Sequence, residues 1–512
     1  MTERRITRQE YDTLLTNDLP STAPEALDRL GLLIDAAHAH HDASGTQRAI
    51  TIACALTTST WTSAQRAMLH FFLANANDDL RSREAKSPEE RWNWTSPYFD
   101  ASLLHLRQAT NEPSFTDLPA EVQCKILTNL GNNLSTIGRY IEAQEPWNHA
   151  LAIDSTFPMA RANRGYGRFH YAKTLHDPDH REAFLHLAHE DLRTSNSHIP
   201  NSEAKKYFAG VQAQIERIAP ATYWEQPHDF RTFPLGDTDE EITYRTWALK
   251  RRLFLNPIND LTTQSVAAAD VIHTPNMIVP LGEPPIYQGF FNQLKQEYTT
   301  ARYLLDRGLH TLAPTYADRD VLLLNTLDYP AYGTNLELVK LAYRSLYSLF
   351  DKIAYFLNSY LKLNIPEKRV NFRTLWHEKE DPTKPLKARF TNYANLPLRG
   401  LYWISRDLDE KAERHLATDA SALNTIRQHL EHKYLKTHSE TAVPAEWTDT
   451  LAHNVQRNDL EAKTLRLVTI ARAALLYLIL GITVEEQHRR EQRGDKKVPG
   501  TELPQYDDRY KR

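Results

Sequence analysis

The chain has 512 residues with a formal net charge of -4, 41% of them hydrophobic and 25% charged. That length suits two to four domains, and the balance excludes disordered and fibrous chains. Glycine is scarce at 16 residues, about 3% against a usual ~7%, which argues against β-rich and phosphate-loop architectures. Cys54 and Cys124 are the two cysteines; they rule out a disulfide framework and a cysteine-based zinc site, and point to a reducing, cytoplasmic setting. The first ten residues are charged and lack the apolar stretch of a signal peptide. The longest apolar run, 473–482, is about half the ~20 residues of a membrane span, so no membrane association is expected. Near-neutral charge leaves no global field for nucleic acid, and any RNA must meet a local patch.

In chain order, residues 1–219 read as successive helices. Over 127–175, Leu127, Leu130, Gly131 and Leu134 are followed by Ala143, Trp147, Ala150 and Leu151. This order of large, small and aromatic positions resembles a tetratricopeptide repeat, two helices crossing closely at small residues. Gly165 lies one 34-residue period after Gly131. Residues 50–79 read as an earlier, degenerate hairpin. Such hairpins bury their apolar faces only against neighbours, so they stack. Prolines from Pro220 to Pro285 then break the pattern, and 220–285 reads as a proline-rich connector with short helical pieces.

A helical body is expected over 286–487. Its strongest helix, 335–363, carries Leu336, Val339, Ala342, Tyr343, Leu346, Leu349, Phe350 and Ile353 at three-to-four spacing, with Asn335 as a cap. A second long helix is expected over 459–480. The tail, 488–512, is polar, carries both charge signs and reads as loosely ordered.

The chemistry is expected in 423–435, which holds Arg427 and His432. Arginine can fork onto a phosphate and histidine can move a proton near neutral pH. Together they form a minimal kit for cleaving RNA without metal: Arg427 stabilises developing phosphate charge, and His432 takes or gives the proton. Spacing does not single this pair out, since Arg181/His186 and Arg193/His198 share it. Five residues of regular helix also leave the two side chains about 140° apart. An irregular helix or a second protomer is needed to bring them together.

Several blocks add context: 326–332, 338–358 with its run of Leu, Tyr and Phe, 371–376 (Asn-Phe-Arg-Thr-Leu-Trp), 395–403, 426–435 and 472–478. In this order they resemble the HEPN superfamily, specifically a large bacterial HEPN family with tetratricopeptide-like repeats in front. The resemblance implies an all-α chain, repeats followed by a HEPN bundle that dimerises, with Arg427 and His432 of both protomers forming a ribonuclease site that needs no metal or other cofactor. Such proteins act as toxins or antiviral effectors on tRNA, mRNA or rRNA. One departure stands out: the residue after the arginine is usually Asn, Asp or His, and here it is Gln428. Gln428 still donates and accepts hydrogen bonds.

Supporting roles fall to Glu431, which can orient an imidazole, and to Arg344, which can reach phosphate. Tyr434 completes an Arg-x4-His-x-Tyr arrangement that in some HEPN toxins is modified with AMP; a half-buried packing role is the stronger reading. Arg399 and Trp403 are candidates for lining the RNA path, with base stacking on Trp403, although a place in the buried core is the stronger reading of Trp403; Asp351 and Lys352 read as a structural pair. His38, His40 and His41 lack a second ligand cluster and read as a helix end rather than a metal site. No NTPase, serine hydrolase or zincin motif occurs. The expectation is a cytoplasmic, metal-independent endoribonuclease effector whose repeat domain meets a protein trigger or antitoxin. The competing expectation is a scaffold of the same architecture that binds a partner or RNA without cleaving it.

Overall fold

The computed structural model describes the chain apart from residues 1–5, 17–21, 85–86, 88–89, 91–92, 201, 281, 312, 392, 410–419, 440–450, 495–499, 501–502 and 512. Among the described residues the helices are α1 (Arg8–Thr16), α2 (Ala23–Ala39), α3 (Ala43–Cys54), α4 (Ser63–Glu84), α5 (Pro97–Asn111), α6 (Ala120–Thr136), α7 (Gln144–Ile153), α8 (Pro158–Thr174) and α9 (Pro178–Asn196). They continue as α10 (Glu203–Glu216), α11 (Ala221–Trp224), α12 (Asp239–Lys250), α13 (Ile286–His310), α14 (Thr334–Tyr360), α15 (Leu396–Asp407), α16 (Ala420–His432) and α17 (Arg457–Arg493). Two short strands, β1 (Leu435–His438) and β2 (His453–Gln456), pair in parallel with Leu435 opposite His453. The chain is all-α, as its glycine-poor composition implies.

Local chemistry marks many helix starts. Asp42, Ser96, Asp177, Ser202, Thr238 and Asn395 each accept a hydrogen bond from a first-turn N–H, satisfying donors that have no partner within the helix. α14 differs from expectation here. Gly333, with φ of 142°, precedes it, and the Asp318 carboxylate accepts from Thr334 N at 2.7 Å. Asn335 instead donates to the Thr311 carbonyl at 3.0 Å.

In the N-terminal half, consecutive helices pack as pairs. Gly131 on α6 lies against Trp147 on α7, where an added Cβ would fall 2.4 Å from Nε1. Gly165 on α8 meets α9 in the same way, a Cβ falling 3.0 Å from Leu192. The 34-residue spacing thus places both glycines where two helices cross.

α17 is the spine. From Leu467 to Ile482 nearly every side chain is buried, on all faces of the helix, the pattern of a core helix rather than a surface one. Among the described residues it is also the one helix long and apolar enough to cross a membrane, and 89% of that stretch is buried inside the fold. It extends past residue 480 because Glu485 and Glu486 have partners: Arg389 at 3.0 Å for the first, Tyr360 at 2.6 Å for the second. The polar tail therefore starts within a helix that runs to Arg493; residues 495–499, 501–502 and 512 lie outside the described residues.

One apolar core runs without a break from Trp94 to Ile482, through the proline-rich segment. Trp247, Leu249, Phe254 and Ile258 of that segment are buried in it. Buried Arg472 of α17 donates to the carbonyls of Phe254 and Asn256 and pairs with Asp260 at 2.7 Å. Asp260 also accepts from Tyr171 of α8. The N-terminal helices meet α15 at Asp407, which binds Arg107 at 2.7 Å and also Arg139. Nearby, the backbone of Gly138 (φ 89°) touches that of Gly400.

Burial alone would raise the Asp407 carboxyl, but Arg107 and Arg139 outweigh it and hold it well below the usual carboxylate range. The stability this provides is present above the unfolded-state pKa of about 4 and is lost as pH falls through the lower folded value. Asp407→Asn is therefore expected to destabilise the protein by about 3–5 kcal/mol at pH 7, because it leaves two buried guanidinium groups short of charge. Chemical denaturation from pH 7 down to pH 3 should show the difference from wild type narrowing only below about pH 4.

Candidate functional site

α14 presents α16. Leu423, Ile426 and Leu430 recur at three-to-four spacing and are buried, turning one face of α16 to the core. Three polar contacts from α14 then fix its position along the axis. Tyr343 donates to the Leu423 carbonyl at 2.6 Å, Arg344 to the Leu430 carbonyl in the last turn, and Asp351 receives Arg427 Nη2 at 3.3 Å.

Arg427 is held on three sides. Besides Asp351, its guanidinium carbon lies 4.7 Å from the centre of the Tyr347 ring, and its Nε is 3.4 Å from Glu431 Oε2 without being aligned to donate. Nη1 makes no hydrogen bond with the described residues. His432 is the last residue of α16, and its side chain is 74% exposed with Nε2 3.6 Å from the same Glu431 oxygen. One carboxylate oxygen thus lies between the guanidinium and the imidazole. Both residues lie within the helical span of α16, and both side chains line one open cleft of about 300 Å³ with Arg373, Asn424, Gln428 and Lys433. The cleft wall carries Arg373, Arg427 and Lys433 against the single carboxylate Glu431, a surplus suited to an anion. Half-buried Asp351 stands behind Arg427; burial raises its carboxyl pKa, with Arg427 opposing the rise. Among the described residues no group of three or more His, Cys, Asp or Glu side chains is placed to hold a metal ion.

The other two Arg-x4-His pairs are set differently. His186 is buried against Trp224 and His228, while His198 folds back on the Thr194 carbonyl. Gln428 is exposed on the cleft wall, and Tyr434 is exposed just beyond the helix end, with Lys436 Nζ 5.6 Å from its ring centre.

Several expectations are corrected. Trp403 cannot stack on a base: it has no exposed surface and donates to the Trp94 carbonyl at 3.1 Å. Arg399 cannot line an RNA path either. It lies buried over the Phe99 ring, where burial drives its pKa down to about 9. Both face the N-terminal half, where their partners Trp94 and Phe99 lie. Arg344 is occupied by the Leu430 carbonyl and serves to position α16. Asp351 and Lys352 do not pair; Lys352 reaches Glu297 on α13 at 2.5 Å, and Asp351 faces Arg427.

Sequence reading missed the support under Arg427. Tyr347 and Asp351 are four apart on one face of α14, a spacing visible in the sequence but not its direction. Arg373 was inside a recognised block without being assigned charge chemistry.

A half-buried arginine and an exposed histidine lie on one helix, presented by a long amphipathic helix in an all-α bundle, the arrangement that the HEPN resemblance implies. Residues 278–485 match the LA2681-like HEPN family, which supports a HEPN superfamily domain in this part of the chain. Comparison with curated proteins and with solved structures finds no match.

Arg344→Met keeps the aliphatic stem and removes the donor to Leu430. Hydrogen exchange should then show faster exchange in the last turn of α16, over 429–433, with α14 unchanged.

Proposed function

We propose that the chain is a metal-independent endoribonuclease effector of the toxin or antiviral-defence type, acting in the cytoplasm as a HEPN homodimer. The observation that carries the reading is the shared cleft of Arg427 and His432, with Glu431 between them. Arg427 Nη1 binds a non-bridging phosphate oxygen, while Asp351 and Tyr347 hold the guanidinium so that little ordering remains when substrate arrives. His432 takes the proton from the ribose 2'-hydroxyl, whose oxygen attacks the adjacent phosphorus and expels the 5'-oxygen. The products are a 2',3'-cyclic phosphate and a 5'-hydroxyl. Protonation of the leaving oxygen falls to the imidazole of a second copy. Glu431 positions His432 rather than touching substrate. Metal independence is supported by the donor set: the one carboxylate in the cleft is Glu431, already engaged by Arg427 and His432, and Asp351 is turned to Arg427.

The helices of residues 1–219 offer the surface for a protein trigger or antitoxin, which packs against the same core as the catalytic bundle. tRNA, mRNA and rRNA are the candidate substrates.

Incubation with total tRNA in EDTA tests this. Wild type should yield fragments ending in cyclic phosphate, with His432→Ala slower by about 100-fold or more and Arg427→Ala by about 100- to 1,000-fold. Equal traces from all three proteins would instead support the non-cleaving scaffold. Growth arrest on expression, relieved by the same substitutions, extends the test to a form that needs its trigger.

A further inference from the structure

Among the described residues, the most exposed apolar stretch lies at 321–324, outside the residues that line this cleft. Val321, Leu322, Leu323 and Leu324 run extended and are all exposed, Leu322 at 88% and Leu324 at 78%. In a strand, neighbouring side chains point to opposite faces, so here neither face is covered. Among the described residues no backbone group of Val321–Leu324 has a hydrogen-bond partner on another segment's backbone. Leu327, Tyr329, Tyr332 and Tyr316 continue the exposed surface. A patch of this size needs a partner in water, and an unpaired extended edge is a template for another strand.

The segment is held out deliberately. Asp320, Leu327 and Tyr329 have φ values of 59°, 65° and 49°, a left-handed conformation that costs non-glycine residues energy and persists only where surroundings enforce it. The enforcement is visible: buried Asp328 pairs with Lys436 of β1 at 2.5 Å, Asn325 accepts from Leu327 N at 2.8 Å, and Ala331 N donates to the Thr437 carbonyl at 2.7 Å. The base is thus bolted to β1, which begins three residues after His432.

We infer that Val321–Leu324 is a dimerisation strand, which pairs antiparallel with the same segment of a second copy and ties the two catalytic clefts together. Three observations favour a second copy over another partner. Antiparallel pairing with itself satisfies the same backbone groups on both chains and covers like with like. From Val321 to Leu327 there is no charged residue, so the segment meets its copy without repulsion and offers a charged partner nothing to recognise. Leu327, Tyr329, Tyr332 and Tyr316 are exposed as well, so a second copy brings an apolar surface of the same composition to meet this one.

The inference rests on the two-copy site proposed above for its functional consequence, but its test does not. Sedimentation equilibrium of the full chain should give a wild-type dimer. Leu322→Asp with Leu324→Asp should weaken it about 100-fold or more, with an unchanged far-ultraviolet spectrum and melting temperature, since neither side chain packs in the monomer. Leu323→Cys in a Cys54→Ser background should form a covalent dimer on mild oxidation. A wild-type monomer at tens of micromolar, or a charged variant that dimerises as wild type does, overturns the inference. If the charged variant is monomeric yet cleaves RNA fully, the strand stands and the two-copy site fails. If His432→Ala cleaves as wild type does, only the nuclease reading falls.

Discussion

The structure depends on the complete burial of α17. A helix apolar on every side must be enclosed by the rest of the chain, and here the enclosing layers come from α8, α13, α14 and α15. That demand explains the polar groups placed deep inside. Arg472 lies within the apolar stretch of the helix, and its guanidinium is satisfied by two carbonyls and Asp260; left unpaired, such a charge would cost several kcal/mol. Asp260 is shared with Tyr171, so one carboxylate joins α8, the proline-rich segment and α17. Prolines that look like a linker in the sequence are thus part of a tightly buried seam.

Much of this was legible. Three-to-four spacing located α14 and the middle of α17, and the 34-residue interval between Gly131 and Gly165 marked two genuine helix crossings. The ends were not legible where distant residues decide them. Asp318 rather than Asn335 starts α14, and the partners of Glu485 and Glu486 carry α17 beyond its apolar run. At the site, residue types and order pointed to Arg427 and His432, whereas the Glu431 oxygen that lies 3.4 Å from the one and 3.6 Å from the other depends on side-chain conformations that spacing does not reveal. Aromatic and arginine side chains in 395–403 misled for one reason: Trp403 and Arg399 have the chemistry of an RNA surface, but α15 turns them toward Trp94 and Phe99, more than 290 residues earlier in the chain.

The cleft itself works by balance. Arg427 is neutralised from behind by Asp351 and from the side by Glu431, yet neither takes it in a close bidentate grip; the ion-pair distances are 3.3 and 3.4 Å. A guanidinium held at moderate distance keeps its orientation and retains donors for an incoming anion, whereas one locked like Arg302 on Asp270, with two bonds of 2.7 and 2.9 Å, is committed to structure. The same contrast separates Arg344, spent on a carbonyl, from Arg427.

The reciprocal tryptophans at the join between the two halves have one more consequence. Trp94 donates to the Tyr393 carbonyl while Trp403 donates to that of Trp94, so each half finishes the other's interior. The stretch matching the HEPN family begins at residue 278, and excising it would strip α15 of Trp94, Phe99 and both arginines that neutralise Asp407. In this protein the domain is therefore no transplantable cassette: evolution can exchange its loops, but trading the front half for another sequence would require rebuilding the seam residue by residue.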